Sequence, residues 1–192
     1  MAEKMVARDG ELRRKGIHLI GLTVPLLYWS ADKLVVLSFI AFWAIIFIAF
    51  EIYRFRRGIP KKAMEVAKPL MRKYERRGVA AHVFLSLGLF LAVLLYAKDI
   101  AIAVSLIIVL ADGAVAVVGR YFGRHRLVGR KTLEGTLTLI AVAFVVSVWI
   151  VGAALAFTGA VVAGAVELLP INDNIPIPFF SGLAMTAMRY FL

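Results

Sequence analysis

The stretch IAIAVSLIIVLADGAVAVVG, residues 100–119, decides the fold. Its 20 residues carry one charged side chain, Asp112. At about 1.5 Å of rise per residue, such a run spans roughly 30 Å as an α-helix, the thickness of bilayer hydrocarbon. Lipid-exposed spans of this kind must be helices, because nothing else in one segment satisfies the backbone there. An ionisable side chain within the run is costly and marks a functional site by default. Asp112 therefore needs burial among helices or an aqueous cleft.

The rest of the chain reads the same way. It has 192 residues, 62% of them hydrophobic and 18% charged, against about 45–50% and about 25% in soluble domains. Six further apolar segments accompany the first: 17–29, 34–53, 80–97, 133–151, 154–169 and 175–192. The expected fold is all-α, a single polytopic membrane domain over 1–192 with about seven transmembrane helices. The segments at 17–29, 154–169 and 175–192 are short for straight spans and are expected to tilt, re-enter or extend into their polar flanks. Tight connections at 30–33 and 98–99 predict helical hairpins, and Gly152 predicts a turn.

The formal net charge is +11, yet its distribution argues against nucleic acid. Twenty of the 23 Lys and Arg lie in 1–16, 54–78 and 120–131; only Lys33, Lys98 and Arg189 lie elsewhere. That is the positive-inside bias of a multispanning protein. It puts the N-terminus and the segments 54–78, 119–132 and 170–174 in the cytoplasm and the C-terminus outside. The apolar run after the basic N-terminal cluster lacks a small-residue cleavage site and reads as a retained span. Within the basic loop, residues 60–78 have the apolar spacing of an interfacial amphipathic helix, with Pro69 kinking or ending it. There is no cysteine, so disulfides and thiol chemistry are excluded, and a structural zinc site is not expected.

In this topology His18, Glu51, His82, Asp112, Glu134, Glu167 and Asp173 all fall toward the cytoplasmic side. Glu51 also reads as the partner of a loop arginine, and His18 and His82 as interfacial hydrogen-bonders. Between two of the spans lies GRYFGRHRLVGRKTLEGT, 119–136. Gly119, Gly123, Gly129 and Gly135 permit tight turns and close approach of a ligand. Arg120, Arg124, Arg126, Arg130 and Lys131 supply positive charge. Amides supported by glycine, together with Lys and Arg, form a phosphate cradle, although a Walker motif is absent. Carboxylates on both flanks suit a Mg²⁺–nucleotide complex, since Mg²⁺ takes carboxylate and phosphate oxygens. Asp112, Glu134 and Asp173 are the candidate metal ligands. In VELLPINDNIPIP, 166–178, Asp173 or Asn174 is expected to cap the last helix, with Pro176 in its first turn. The other polar groups there are left for a metal, a ribose or a base.

These blocks resemble the CTP-dependent lipid-alcohol kinases, which include dolichol kinase, phytol kinase and the CTP-dependent diacylglycerol kinase. They are more distantly similar to phosphatidate cytidylyltransferase. The resemblance runs through ELRRKGIHLIG (11–21), KPLMRKYERRG with AAHVF (68–84), LADGAVAVVGRYFGRHRLVGRKTLEGT (110–136) and VELLPINDNIPIP (166–178). It implies transfer of the γ-phosphate of CTP to the hydroxyl of a membrane lipid alcohol, with Mg²⁺ as cofactor. By this resemblance Asp112 is the essential acid. Lys131, Thr132, Glu134 and Gly135 serve CTP binding and catalysis, Glu167, Asp173 and Asn174 match a later acidic element, and Arg14, Lys15 and His18 lie near acceptor or phosphates. The chain lacks the Ser-Pro before Lys131 and the late DRxDS-type signature of the cytidylyltransferases, which favours the kinase branch. Arg130 stands where a first lysine is usual, keeping charge but not geometry. Three readings are carried forward: a lipid kinase, a cytidylyltransferase making a CDP-lipid, and a non-enzymatic lipid transporter or binding protein. The expected partners are CTP, a lipid alcohol and the bilayer, with no nucleic acid; the chain is a monomer or homodimer.

Overall fold

A computed structural model describes residues 19–58, 78–129 and 131–192. The chain is nearly all helical. A 3-10 turn, Leu19–Leu22, leads into α1 (Thr23–Ser30). Then follow α2 (Lys33–Arg57), α3 (Ala81–Leu95) and α4 (Lys98–Leu106). A π-helical turn, Ile107–Ala111, joins α4 to α5 (Asp112–Tyr121). A short hairpin of β1 (Arg126–Val128) and β2 (Lys131–Thr132) precedes α6 (Leu133–Val151), α7 (Ala153–Glu167) and α8 (Pro176–Arg189). The hairpin is the one departure from the all-α expectation among the described residues.

The expected segment boundaries hold to within a few residues. Pro25 sits in the first turn of α1, where its missing N–H costs no helical bond. Two residues link α1 to α2 and two link α3 to α4. Gly152, at φ +82°, is the whole connection between α6 and α7; the left-handed backbone there is one that glycine adopts without strain.

Three helical stretches are long and apolar enough to cross a membrane: Lys33–Arg57, Lys98–Gly119 and Leu133–Val151. Leu19–Ser30, Ala81–Leu95 and Ala153–Glu167 are apolar but shorter. Packing separates the long ones. Residues 100–111 form the centre of the bundle, with Ile100, Val104, Ile107 and Ile108 fully enclosed by α1, α3, α6 and α8. By contrast α2 and α6 lie at the rim. On α6 the exposed residues Leu133, Leu137, Ala141, Val145 and Trp149 recur every fourth position, while Thr136, Leu139, Ala143 and Ser147 face inward. An outward stripe as apolar as the core is what a helix presents to lipid. Exposed aromatics gather at both ends of the bundle: Trp29, Trp149 and Tyr190 at one, Tyr53, Tyr121 and Phe122 at the other. This is the distribution of interfacial anchors.

Polar contacts also collect at the two ends. At one, Lys33 Nζ donates to Leu94 O (2.8 Å), Lys98 Nζ to Ala31 O (3.2 Å), and Arg189 pairs with Asp99. At the other, Arg54 bonds Glu51 and donates to Gly78 O (2.6 Å), fastening the end of α2 to the approach of α3. Phe47 meets the His82 ring edge-on at 4.7 Å. Glu51 thus has the arginine partner anticipated for it, from its own last turns and buried with it.

Candidate functional site

The segment with the most charge and glycine forms the end of α5, the hairpin and the first turn of α6. Arg126 pairs with Thr132 and Val128 with Lys131, antiparallel, with an irregularity between Arg126 and Val128. Gly129, at φ +58°, supplies the turn. The backbone N of Leu133 donates to His125 O (2.8 Å), carrying the pairing into the helix. Thr132 is the N-cap of α6: its Oγ1 accepts from Gly135 N at 3.2 Å, satisfying one of the helix's orphan donors. Glu134 reaches back across the turn. Its oxygens accept from the backbone N of His125 at 3.2 and 3.3 Å, and Oε1 lies 2.7 Å from His125 Nδ1. One carboxylate therefore ties the hairpin to the helix.

The glycines have a packing role here. A Cβ on Gly119 would stand 3.4 Å from Thr132 Oγ1 and 3.7 Å from Gly135 Cα; one on Gly123 would stand 2.2 Å from Gly119 O. Gly119 and Gly135 face each other where α5 and α6 meet, at distances where an added Cβ on Gly119 would make ordinary contacts, whereas Gly123 has no room for one. Gly123 closes the end of α5. Only Gly129 serves a turn that needs positive φ.

Lys131 crosses to α7. Its Nζ donates to the carbonyls of Glu167 and Leu169 (2.9 Å to the latter) and lies 3.8 Å from Glu167 Oε1. A lysine over the last carbonyls of a helix satisfies orphan acceptors and complements the helix dipole. Glu167 is buried, and its Oε2 accepts from Thr136 Oγ1 at 3.1 Å. In this buried setting Lys131 stabilises the charge on Glu167, while Asp173 and then Asp112 act against it more weakly. Glu167 is thus the hub on which three separate sequence blocks meet. Asp112 opens α5 straight after the π turn, half-buried, and lies nine residues before the end of that helix. That is roughly 14 Å in from the hairpin end.

The polar turn after α7 does something other than cap. The N-cap of α8 is Ile175, with no side-chain cap bond, and Pro176 follows it. Neither Asp173 nor Asn174 takes the expected capping role. Instead Asn172 Oδ1 accepts from Asn174 N (3.1 Å), a local turn of the kind asparagine favours. Asn174 is buried and its Nδ2 donates to Ala81 O (3.3 Å), at the start of α3. A Cβ on Gly88 would stand 2.1 Å from Asn174 O, so this turn lies directly on α3. A proline at the first helical position needs no donor partner, which lessens the need for a cap.

The structure therefore places Lys131, Thr132, Gly135, Glu167, Asp173 and Asn174 at one end of the bundle, with Gly119, Gly123 and Glu134 alongside and Asp112 deeper along α5. Arg124 is exposed in the same segment. Arg14, Lys15, His18, Arg130 and residues 59–77 of the basic loop lie outside the described residues, as does the side chain of Arg120. Sequence reasoning passed over His125 and Thr136. Their partners lie 9 and 31 positions away, spacings that no local motif announces.

Among the described residues no three His, Asp or Glu side chains form a group that could hold a metal ion by themselves. Mg²⁺ does not require one, since it commonly takes one or two carboxylates and completes its shell with phosphate and water. Asp112 and Asp173 are the two carboxylates that act on Glu167, yet with it they form no such group. Glu134 is the less suited of the three expected ligands, because both its oxygens are held by His125.

No family model matches the chain, and no solved structure matches it. The chain is similar to an uncharacterized protein of Rickettsia prowazekii (strain Madrid E), 27% identical over 199 aligned residues covering 96% of this chain and 97% of the relative. The likeness spans nearly the whole length of both proteins.

Proposed function

We propose that the chain is a multi-pass membrane enzyme that transfers the γ-phosphate of CTP to the hydroxyl of a membrane lipid alcohol, with its active end at the cytoplasmic face. One observation carries the reading. Blocks of sequence that resemble the CTP-dependent lipid kinases are far apart in the chain yet meet at one end of the bundle: Lys131 lies on Glu167, Asp112 and Asp173 act on Glu167, and Asn174 reaches Ala81. The other end has no such convergence of acids among the described residues. Arg54, Arg56, Arg57, Arg124, Arg126 and Lys131 lie toward this end, which under the positive-inside bias makes it cytoplasmic.

Phosphoryl transfer is mainly positioning and charge neutralisation. In this reading the lipid lies along the apolar body with its hydroxyl at the interface. The hydroxyl oxygen forms a bond to the γ-phosphorus as the bond from that phosphorus to the β–γ bridging oxygen breaks. CDP leaves with the electron pair, and the hydroxyl proton passes to a carboxylate, for which Asp112 is the assignment. Arg120, Arg124, Arg130 and Lys131 neutralise the phosphates. With Asp112 taking the proton, Asp173 would hold Mg²⁺, which when bound would screen charge on the phosphates. The Asn172–Asn174 turn is left for ribose or base.

The test is incubation of the purified protein with membrane lipid extract and Mg²⁺, using γ-labelled CTP, ATP and GTP in parallel. Label from CTP in an alkali-stable lipid phosphate is the expected result. Label reaching lipid only from α-labelled CTP would replace the kinase with a cytidylyltransferase. No lipid label from any nucleotide, and no stabilisation by CTP with Mg²⁺, would move the protein to the non-enzymatic class.

A further inference from the structure

The two strands of the hairpin differ: Thr132 on β2 is buried, whereas β1 is exposed along its length. Arg126, Leu127 and Val128 are all exposed, with Leu127 at 46% and Val128 at 45%, and Phe122 just before it is at 66%. A strand alternates its side chains between two faces, so apolar exposure at successive positions means that neither face of β1 is covered by the chain. A two-stranded hairpin packed through one strand only is marginal in water. What holds this one is the tie from Glu134 to His125 and the step from β2 into α6. Those contacts leave Leu127 and Val128 outward.

Two observations identify what covers them. First, the exposed stripe of α6 runs up to Leu133, the residue after β2, and the hairpin carries that apolar surface onward, with Tyr121 and Phe122 at its side. Second, the apolar residues are interleaved with exposed Arg124, His125 and Arg126. Apolar and aromatic side chains mixed with arginine suit the headgroup layer, where tails meet anionic charge. Purely aqueous exposure explains the arginines but not Leu127, Val128 and Phe122; a purely hydrocarbon environment explains the reverse.

We propose that this hairpin rides in the headgroup layer of the protein's own bilayer, with Leu127 and Val128 inserted and Arg126 taking anionic phospholipid. Because Glu134 and Lys131 fix β1 and β2 to α6 and α7, lipid bound there bears on the position of the acidic cluster. The proposal does not depend on the chemistry assigned to that cluster.

The chain has no cysteine, so V128C carries a unique label. The full chain, labelled there with an environment-sensitive dye, is placed in nanodiscs of phosphatidylcholine with or without phosphatidylglycerol. The expected result is blue-shifted emission, quenched better by a lipid-borne quencher than by aqueous iodide, and more so with phosphatidylglycerol at low salt. R126Q should lower the buried-to-exposed ratio of the dye by about fivefold in the anionic discs, the equivalent of about 1 kcal/mol for an arginine near such a surface, and leave it unchanged in the neutral ones. L137C, on the lipid stripe of α6, supplies the fully buried reference, and L127C repeats the measurement from the neighbouring position. Preferential quenching by iodide in both disc types, at both 127 and 128, would overturn the insertion. Insertion that ignores phosphatidylglycerol and R126Q would overturn the anionic-lipid assignment.

Discussion

The two ends of the bundle use charge differently. At the end bearing Trp29, Trp149 and Tyr190, the three basic residues outside the basic segments each have a partner within the chain. Lys33 caps the C-terminal carbonyls of α3, Lys98 takes Ala31 O, and Arg189 pairs with Asp99. Each contact staples one helix end to another. At the hairpin end, Lys131 lies on Glu167 of α7, and the charges of Asp112 on α5 and Asp173 in the α7–α8 turn act on the same carboxylate. Stapling alone would not assemble like charges there, because clustered carboxylates raise one another's cost. The contrast separates charge that closes the fold from charge kept at a cost, and the second kind is where chemistry is sought.

The sharpest way to break the contrast is D112N. If Asp112 takes the hydroxyl proton, turnover of lipid alcohol with CTP falls by about a hundred- to ten-thousand-fold, while detergent-solubilised protein keeps its melting behaviour. Radiolabelled lipid product and a thermal melt on the same preparation check both halves. Wild-type turnover in D112N would remove the acid from the mechanism. Next comes Glu51. It is buried with Arg54, so E51A leaves an uncompensated buried guanidinium and should cost about 3–5 kcal/mol of stability, read from unfolding in mixed micelles. A loss under 1 kcal/mol would mean that Gly78 O and water suffice for Arg54.

Lys131 sharpens the comparison, because it resembles a staple yet sits among the acids. K131M should cost about 0.3–1 kcal/mol as a lost helix C-terminal cation. If that is its whole role, the KM for CTP stays put in K131M; in the kinase reading the KM rises while stability moves only by that amount. K131R separates the two further, since it keeps the charge but not the point-like geometry. The smallest effect belongs to the opposite end. A double-mutant cycle on Asp99 and Arg189, both half-exposed, should give a coupling of about 0.2–1 kcal/mol and leave lipid phosphorylation untouched.

Much of the fold was legible because apolar length and glycine punctuation are local signals. Residues 133–151 read as one span and fold as α6; Gly152 read as a turn and is one. Asp112 stood out because a single charge in an apolar run is visible without a partner. The rest depends on residues distant in sequence. The pairing of Glu134 with His125, Thr136 with Glu167 and Asn174 with Ala81 follows from tertiary approach. Gly119 and Gly135 read as space for a ligand, and they also lie where two helices meet. Nothing in 119–136 distinguishes those uses until α5 and α6 are seen to touch. Capping of α8 by Asp173 or Asn174 failed for a related reason: Asn174 is engaged by α3 rather than by the helix that follows it.

The π turn at Ile107–Ala111 has a consequence for how this chain tolerates length changes. A π turn accommodates one more residue than an α turn, inserted without unwinding the rod. Removing a single residue from 107–111 would let 98–121 become one regular α-helix. Because the π turn takes up the extra residue locally, side chains beyond it would keep their faces. Asp112 would stay on the side of Glu167, and Gly119 would still meet Gly135. The same one-codon deletion in the regular turns of α4 has no bulge to absorb it and would swing everything after it by about 100°, so the two deletions, alike in hydropathy and span length, should differ sharply in outcome.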